Sequence, residues 1–260
     1  MDLAFFMGRA VLICKLCLRP TAALVRCHIY PRSRSREIAG VGPLVSLARR
    51  NESTQVGRAD GGLYDRGIVC GQCEKSFKSA DDYAIEFRRK ALFLTGPCDF
   101  PLKQLAFPSF QADAALLHAF AVTTLVRASL SDRWEHEHTR DRELEAVARR
   151  SLLHGVPTIE CGREVCFVVT RGELGKIMAA PVLHPLDTYP VYRLQMPNFT
   201  AFVAASDNGL MPGFKNIALR EGKPVLIWRR RRPMDFELQD VGQRFEAVGD
   251  RLDRIMRRSA

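Results

Sequence analysis

Hydrophobic and polar positions follow different periods along the chain, and the changes of period outline its elements. Residues 8–31 alternate loosely between apolar and polar side chains, which predicts two short strands. Residues 32–62 are rich in Arg, Ser and Gly and are interpreted as a long, basic, flexible connection. Residues 74–94 carry apolar side chains at helical spacing, and Gly96-Pro97 follows, so a helix is predicted to end there.

The rest of the chain has a different character. Residues 112–130 are strongly apolar and predict a buried helix, and the polar residues 132–153 predict a second helix. Residues 158–170 and 190–205 have the composition of strands. Residues 236–256 place apolar side chains on one face of a predicted terminal helix.

Together these elements predict an α+β protein. The N-terminal module would span residues 1–97 and contain two strands and a helix. A mixed α+β domain would follow over residues 98–232, and residues 233–260 would form the amphipathic terminal helix. A chain of 260 residues is long enough to bury a substantial core in such an arrangement.

Charge narrows the choice of partners. The formal net charge is +10 and the sequence pI is about 9.5. Nucleic acid is the partner that such a field attracts most readily, because bound Lys and Arg release condensed counterions. An anionic membrane surface or an acidic protein is attracted as well, and a merely solvated basic surface is the alternative to all three.

Hydropathy gives no indication of membrane insertion. The longest plausible apolar stretch, residues 114–126, is too short to cross a bilayer. The apolar start of the chain, residues 1–7, has no basic segment before it and does not have the pattern of a signal peptide. We therefore expect a soluble, cytoplasmic protein with no membrane partner.

Four of the eight cysteines form two C-x-x-C pairs, Cys14 with Cys17 and Cys70 with Cys73. Each such turn directs two thiolates at one metal, so two turns supply the tetrahedral set that structural Zn²⁺ requires. Two unrelated pairs of buried thiols are one alternative. A redox C-x-x-C is another, although the first pair lacks the strand–helix context that redox chemistry uses.

Between the pairs lies Arg26-Cys27-His28-Ile29-Tyr30-Pro31. The order C-x-x-C, then His-Ile-x-Pro, then C-x-x-C resembles the zinc-stapled branch of the HNH endonuclease superfamily, which has the ββα-metal or treble-clef fold. The resemblance covers residues 12 to about 90. It implies a treble-clef module at the N-terminus, followed by the α+β domain.

The resemblance also implies roles for individual residues. His28 matches the general base, Asp65 stands where the family has the residue that braces this histidine, and Glu74 stands at the position of a ligand to catalytic Mg²⁺ or Mn²⁺. The sequence departs from the family's usual residues at these last two positions. It also departs at Cys27, where the family often has an acidic or histidine metal ligand, and a thiol is a poor ligand for Mg²⁺.

Each of these residues also has a structural interpretation. His28 is then a histidine packed beside the zinc site, and Asp65 a turn residue. Glu74 is an acid in the first turn of a helix, which the helix dipole favours.

Other charged or reactive side chains are weaker candidates. Arg32, Arg34 and Arg36 follow the proposed site closely and are predicted to contact phosphates. The four arginines at 229–232 could contact phosphates or form an exposed charged connection, which is the usual role of such runs. His136 and His138 are expected on a solvated helix. Three further cysteines are expected to be free core thiols: Cys98, Cys161 and Cys166.

Three functional hypotheses follow. The first is a metal-dependent HNH-type endonuclease that hydrolyses phosphodiester bonds, with DNA as substrate. The second is a zinc module that binds nucleic acid or a protein without catalysis, which the departures at Cys27 and Glu74 favour. The third is an adaptor whose terminal helix docks a protein partner.

Overall fold

The computed structural model is a mixed α+β structure, with helices and sheets alternating along the chain. It describes residues 11–31, 45–50, 53–58, 62–94, 102–108, 110–170, 178–184 and 186–230. The predicted terminal helix, the arginines at 32, 34 and 36, and Cys98 therefore lie outside the described residues.

The first part of the chain forms short strands and two helices. The strands are β1 (Leu12–Ile13), β2 (Pro20–Thr21), β3 (Cys27–His28), β4 (Val45–Arg50), β5 (Ser53–Arg58) and β6 (Tyr64–Asp65). The helices are α1 (Gly71–Ser76) and α2 (Lys78–Leu94). Strand β1 pairs with β2, and β3 pairs with β6.

The second part contains the main sheet and its helices. The strands are β7 (Leu102–Phe107), β8 (Val165–Thr170), β9 (Met178–Ala179), β10 (Val182–His184), β11 (Val191–Met196), β12 (Phe199–Ala204) and β13 (Val225–Arg230). The helices are α3 (Ala114–Ser129), α4 (Arg142–His154) and α5 (Pro212–Lys215). Six strands form one sheet in the order β10-β11-β12-β8-β13-β7, antiparallel except for the β8–β13 pair.

Helix α3 lies at the centre of the molecule. It contacts α2, α4 and strand β12, so it has neighbours on several sides. This explains its nearly uniform apolar sequence, because a helix surrounded by protein has no face to offer to water. Its first turn is capped by Asp113, whose side chain accepts a 2.9 Å hydrogen bond from the Leu116 N–H.

The core is continuous across residue 97, the boundary predicted from the sequence. Phe87 on α2 packs edge-on against Phe107 on β7, with ring centroids 5.0 Å apart. Phe199 on β12 lies 6.4 Å from Phe87 and stacks on Phe167 of β8 at 4.7 Å. One cluster of buried side chains thus extends from the cysteine region into the sheet.

Several predicted elements differ in the structure. The segment 32–62 contains the β4–β5 hairpin rather than only a flexible connection, and β4 also pairs in parallel with β9. The predicted helix 132–153 is a 3-10 helix at Trp134–Thr139 followed by α4. The break falls where Asp141 caps α4 by accepting from the Leu144 N–H.

The strand predicted over 158–170 is confirmed only for β8. Its first residues form a 3-10 turn, Thr158–Cys161, which ends at Gly162 with a φ of 81°. A glycine adopts this left-handed conformation without the steric penalty of a side chain. The predicted strand 190–205 is a hairpin, β11 and β12, joined at Asn198.

Candidate metal centre

The four cysteines of the two C-x-x-C pairs come together in space. Their sulfur atoms all lie within 4.8 Å of one another. Cys14 and Cys17 come from the turn between β1 and β2, Cys70 directly precedes α1, and Cys73 lies in its first turn. The predicted grouping of these cysteines is confirmed, and the group can hold a metal ion such as zinc.

The backbone of the first pair is shaped for this arrangement. Leu18 has a left-handed φ of 58°, and its N–H donates to the Cys14 carbonyl at 2.8 Å. The Cys14 N–H donates to the Arg19 carbonyl at 3.1 Å. These bonds fold the C-x-x-C segment into a tight turn, which directs both thiols to one side.

Hydrogen bonds also prepare one sulfur to act as a ligand. Burial alone would raise the pKa of Cys14, but backbone N–H groups of Cys17 and Cys70 donate to its sulfur and lower the pKa to about 7. Burial and the neighbouring sulfurs raise the pKa of Cys73 instead. Four thiols in one small space cannot all ionise unless a cation compensates their charge, which is what a divalent metal supplies.

The first turn is anchored to the body of the protein. Arg149 on α4 donates to the Leu16 carbonyl at 3.0 Å and to the Lys15 carbonyl at 3.1 Å. Lys15 in turn donates to the Leu130 carbonyl at 3.0 Å, just beyond the end of α3. The metal centre is therefore held between the N-terminal strands and helices α3 and α4.

Beside this centre, β3 and β6 form a two-stranded ribbon. Cys27 is paired with Asp65, and His28 with Tyr64. Because side chains alternate between the faces of a strand, Cys27 and Asp65 share one face and His28 and Tyr64 share the other. The contacts of these four side chains agree with that division.

The inner face of the ribbon meets a buried charge cluster. The Cys27 thiol lies against Glu74, and burial, followed in importance by its charged neighbours, raises the pKa of Cys27. Arg127 on α3 is completely buried beside them and makes two hydrogen bonds of 2.8 Å to Asp81 on α2. Burial opposes the charged form of Arg127, but the paired Asp81 carboxylate, with a smaller contribution from Glu74, raises its pKa overall. The Arg127 guanidinium thus supplies the positive charge of this cluster.

Asp65 is held on the same inner face by other partners. Its carboxylate accepts from the Ser131 hydroxyl at 2.6 Å and from the Gly67 N–H at 2.7 Å. Burial acts to raise the pKa of Asp65, but these hydrogen bonds lower it overall, with Lys15 also contributing. The ionised Asp65 carboxylate therefore links the turn after β6 to the segment that follows α3.

The endonuclease hypothesis gains if Asp65 and Glu74 lie within reach of one cation near His28, and the structure does not group these three residues. Within the described part of the chain, the four cysteines are the group of three or more such ligands that lies close enough to share an ion. His28 lies on the opposite face of the ribbon from Asp65 and Glu74. Its Nε2 atom is enclosed by protein.

The outer face of the ribbon carries residues that sequence reasoning missed. The Arg26 guanidinium lies 3.6 Å from the centre of the Tyr64 ring, and that of Arg66 lies 5.9 Å from it. The His28 ring is also 5.9 Å from Tyr64. The signal was present as basic and aromatic residues two positions apart, at 26 and 28 and at 64 and 66, but only strand pairing shows that the two sets are neighbours.

Two other expectations change. His136, expected on a solvated helix, is completely buried in the 3-10 helix, whereas His138 is about half exposed. Packing of this turn between β4 and β10 explains the burial. Among the other described cysteines, Cys166 is buried, as expected, Cys161 is partly buried, and neither forms a disulfide there. Residues 229–230 of the arginine run belong to β13, so they are part of the sheet and not of a connection.

Comparisons with known proteins give no match: no protein-family model, no curated protein and no solved structure is significantly similar to the chain. In the part of the chain that the structure describes, no helix combines the length and apolar character needed to span a membrane.

Proposed function

We propose that Cys14, Cys17, Cys70 and Cys73 hold one Zn²⁺ and that the elements around it form a treble clef. The order of elements supports this: a C-x-x-C turn between β1 and β2, the antiparallel β3–β6 ribbon, and a helix whose start supplies the second pair. Four thiolates are a soft donor set, which favours Zn²⁺ over Mg²⁺ or Ca²⁺. In this module zinc is a structural ion that joins the turn between β1 and β2 to the start of helix α1.

The function that we propose for this module is binding of nucleic acid without cleavage. The position of Arg127 carries this proposal. In the HNH family that the sequence resembles, the residues at positions 27 and 74 help to hold a catalytic divalent ion. Here Cys27 and Glu74 lie within the electrostatic field of the Arg127 guanidinium, which is always charged and disfavours a second cation nearby.

A guanidinium cannot replace a metal ion in catalysis. It has no open coordination position, so it cannot activate a bound water as a divalent ion does. The Cys27 thiol is also a poor ligand for Mg²⁺ or Mn²⁺. The charge of Arg127 and the thiol of Cys27 therefore make this position unfavourable for a catalytic divalent ion.

Charge supports nucleic acid as the partner. The chain has a formal net charge of +10, and the outer face of the β3–β6 ribbon presents Arg26 and Arg66 beside His28 and Tyr64. A basic surface of this kind binds phosphates through counterion release, with little dependence on base sequence. DNA is the substrate class that the resemblance to HNH proteins favours.

A second candidate is an active HNH-type endonuclease that cleaves DNA with Mg²⁺ or Mn²⁺. One observation favours it: His28, the position of the general base, shares the outer face with two arginines that suit a phosphate. In that case His28 would act as the base, while Asp65 and Glu74 would have to leave their present partners to serve a metal.

The test compares wild type with His28→Ala and with His154→Ala, a matched change of an exposed histidine at the end of α4. Each protein is incubated with supercoiled plasmid and Mg²⁺ or Mn²⁺, and binding to a labelled DNA oligonucleotide is measured separately. Zinc content is determined for all three. Binding by all three without nicking is the expected result.

Two other outcomes would overturn the proposal. Nicking by wild type and His154→Ala that disappears in His28→Ala would establish the nuclease. Failure of the zinc-loaded wild type to bind DNA or RNA oligonucleotides at low salt would exclude a nucleic-acid function and leave the protein-adaptor hypothesis.

A further inference from the structure

Two arginines share one tyrosine ring on the outer face of the β3–β6 ribbon. The guanidinium carbon of Arg26 lies 3.6 Å from the Tyr64 ring centre, a close stacking distance, and Arg66 lies 5.9 Å away. Stacking on a ring limits the motion of a guanidinium while leaving the donors at its edge available. Tyr64 thus serves as a platform for arginine, and Arg26 covers a face that a base would need for stacking.

Neither arginine is neutralised by an acid among the residues that the structure describes. The Arg26 Nε atom is enclosed and donates no hydrogen bond there, and Arg66 is exposed to solvent. Arg133, at the rim of the same surface, is different because it is paired with Glu135 at 2.5 Å. Both guanidiniums therefore keep a charge that no described acid balances, and a bound anion can balance it.

The nearby acids are committed to the opposite face of the ribbon. Asp65 accepts from Ser131 and Gly67, and Glu74 lies against Cys27 beside Arg127. This division leaves positive potential on the outer face. Two guanidiniums near one ring, neither paired with an acid among the described residues, can each donate to a phosphate oxygen.

We infer that Arg26 and Arg66, positioned by Tyr64, form a clamp for a backbone phosphodiester of the bound nucleic acid. This inference rests on the proposed nucleic-acid function and names the surface that performs it. The contact is with phosphate, so it is independent of base sequence. His28 lies next to the clamp, which places its ring at the edge of the bound backbone.

The experiment measures binding of the full chain to labelled single-stranded and duplex DNA over a series of salt concentrations. The test variant is Arg26→Ala/Arg66→Ala. The matched control is Arg142→Ala/Arg150→Ala, which removes the same charge from exposed positions on α4. A third protein, Arg26→Lys/Arg66→Lys, keeps the charge and removes the planar fork. Zinc content and thermal unfolding are measured for each.

The test variant is expected to bind about tenfold more weakly than wild type, with a salt dependence reduced by about one unit of slope for each arginine. The control is expected to change affinity by less than about twofold. The lysine variant is expected to keep the salt dependence but to lose part of the affinity, and it remains decisive if the alanine variant is unfolded.

Two results would overturn the inference, and they have different meanings. If wild type binds and the test variant and the control lose affinity equally, the effect is general charge: the clamp is excluded while the proposed function stands. If zinc-loaded wild type does not bind nucleic acid at low salt, the clamp and the proposed function fail together.

Discussion

Arg127 on α3 and Asp81 on α2 form a buried, two-pronged ion pair, with hydrogen bonds of 2.8 Å from Nη1 and from Nη2. The Arg127 side chain is 1% exposed, and its guanidinium also lies 4.9 Å from the centre of the Phe77 ring. Its Nε donates to the Thr123 carbonyl and Nη2 to the Thr124 hydroxyl. The pair therefore joins the helix that follows the metal centre to the central helix of the body.

Removing one partner of this pair should be costly. Arg127→Met leaves the largely buried Asp81 carboxylate without its cation, so we expect the free energy of unfolding to fall by roughly 3–5 kcal/mol in urea titrations. Lys78→Met on the same helix is the control, because it breaks the exposed Lys78–Asp82 pair and should cost less than about 1 kcal/mol. Equal effects from the two substitutions would show that the buried pair has no special importance.

Metal binding should depend on the four clustered cysteines and not on the other thiols. Purified protein is expected to contain one zinc per chain by elemental analysis. Cys73→Ser should lose that zinc and unfold about 10 °C lower, because metal binding and folding of such a site are coupled. Cys161→Ser changes a partly buried thiol outside the cluster and should retain the metal. Zinc-free Cys161→Ser, or zinc-loaded Cys73→Ser, would contradict the assignment.

The anchoring of the first C-x-x-C turn predicts a kinetic effect. Arg149 donates to the carbonyls of Lys15 and Leu16 from α4, so Arg149→Ala should let this turn open more often. We expect zinc transfer to a chromogenic chelator to become about tenfold faster or more, since each lost hydrogen bond from a charged group is worth about 1.5–3 kcal/mol. Arg150→Ala, the exposed neighbour, is the control. An unchanged transfer rate in Arg149→Ala would mean that the turn holds its metal without help from α4.

Two buried histidines should respond oppositely to substitution. Both ring nitrogens of His136 are buried without a hydrogen-bond partner in the described residues, whereas His118 contacts the Thr158 hydroxyl at 3.0 Å and the Arg163 carbonyl at 2.8 Å. His136→Leu should therefore stabilise the protein by about 1–2 kcal/mol, because it removes an unsatisfied polar group. His118→Leu should destabilise it by a similar amount, because Thr158 and Arg163 lose their partner. Denaturant titrations at neutral pH measure both changes.

The same histidines predict the pH dependence of stability. Burial lowers the pKa of His118 and of His136 to about 4, whereas an unfolded histidine titrates near pH 6.5. Below about pH 6.5 the unfolded chain takes up protons that the folded chain does not, so stability falls as the pH decreases from about 6.5 to 4. His136→Leu removes one of these protons. Its stability advantage over wild type should therefore grow as the pH is lowered over this range, and a constant advantage would contradict the lowered pKa.

Local patterns were sufficient for several features. The apolar run 112–130 predicted α3 within two residues, because a helix buried on several sides needs apolar side chains throughout. The two C-x-x-C pairs predicted the metal cluster, because each pair forms its own turn and soft metals require such donors. The break before α4 and the turn before β8 were not predicted, because each depends on a single residue, the cap at Asp141 and the glycine at Gly162.

The amino-acid sequence by itself thus determined the metal-ligand set, the central helix and an excess of positive charge. The tertiary structure determined which side chains the charged residues contact. The register that pairs Cys27 with Asp65 sends His28 and Tyr64 to the opposite face, and the packing of α2 against α3 brings Arg127 to Asp81. The physical reason is that turns and helices are encoded by neighbours in the chain, whereas the partner of a buried charge is set by which distant elements pack together.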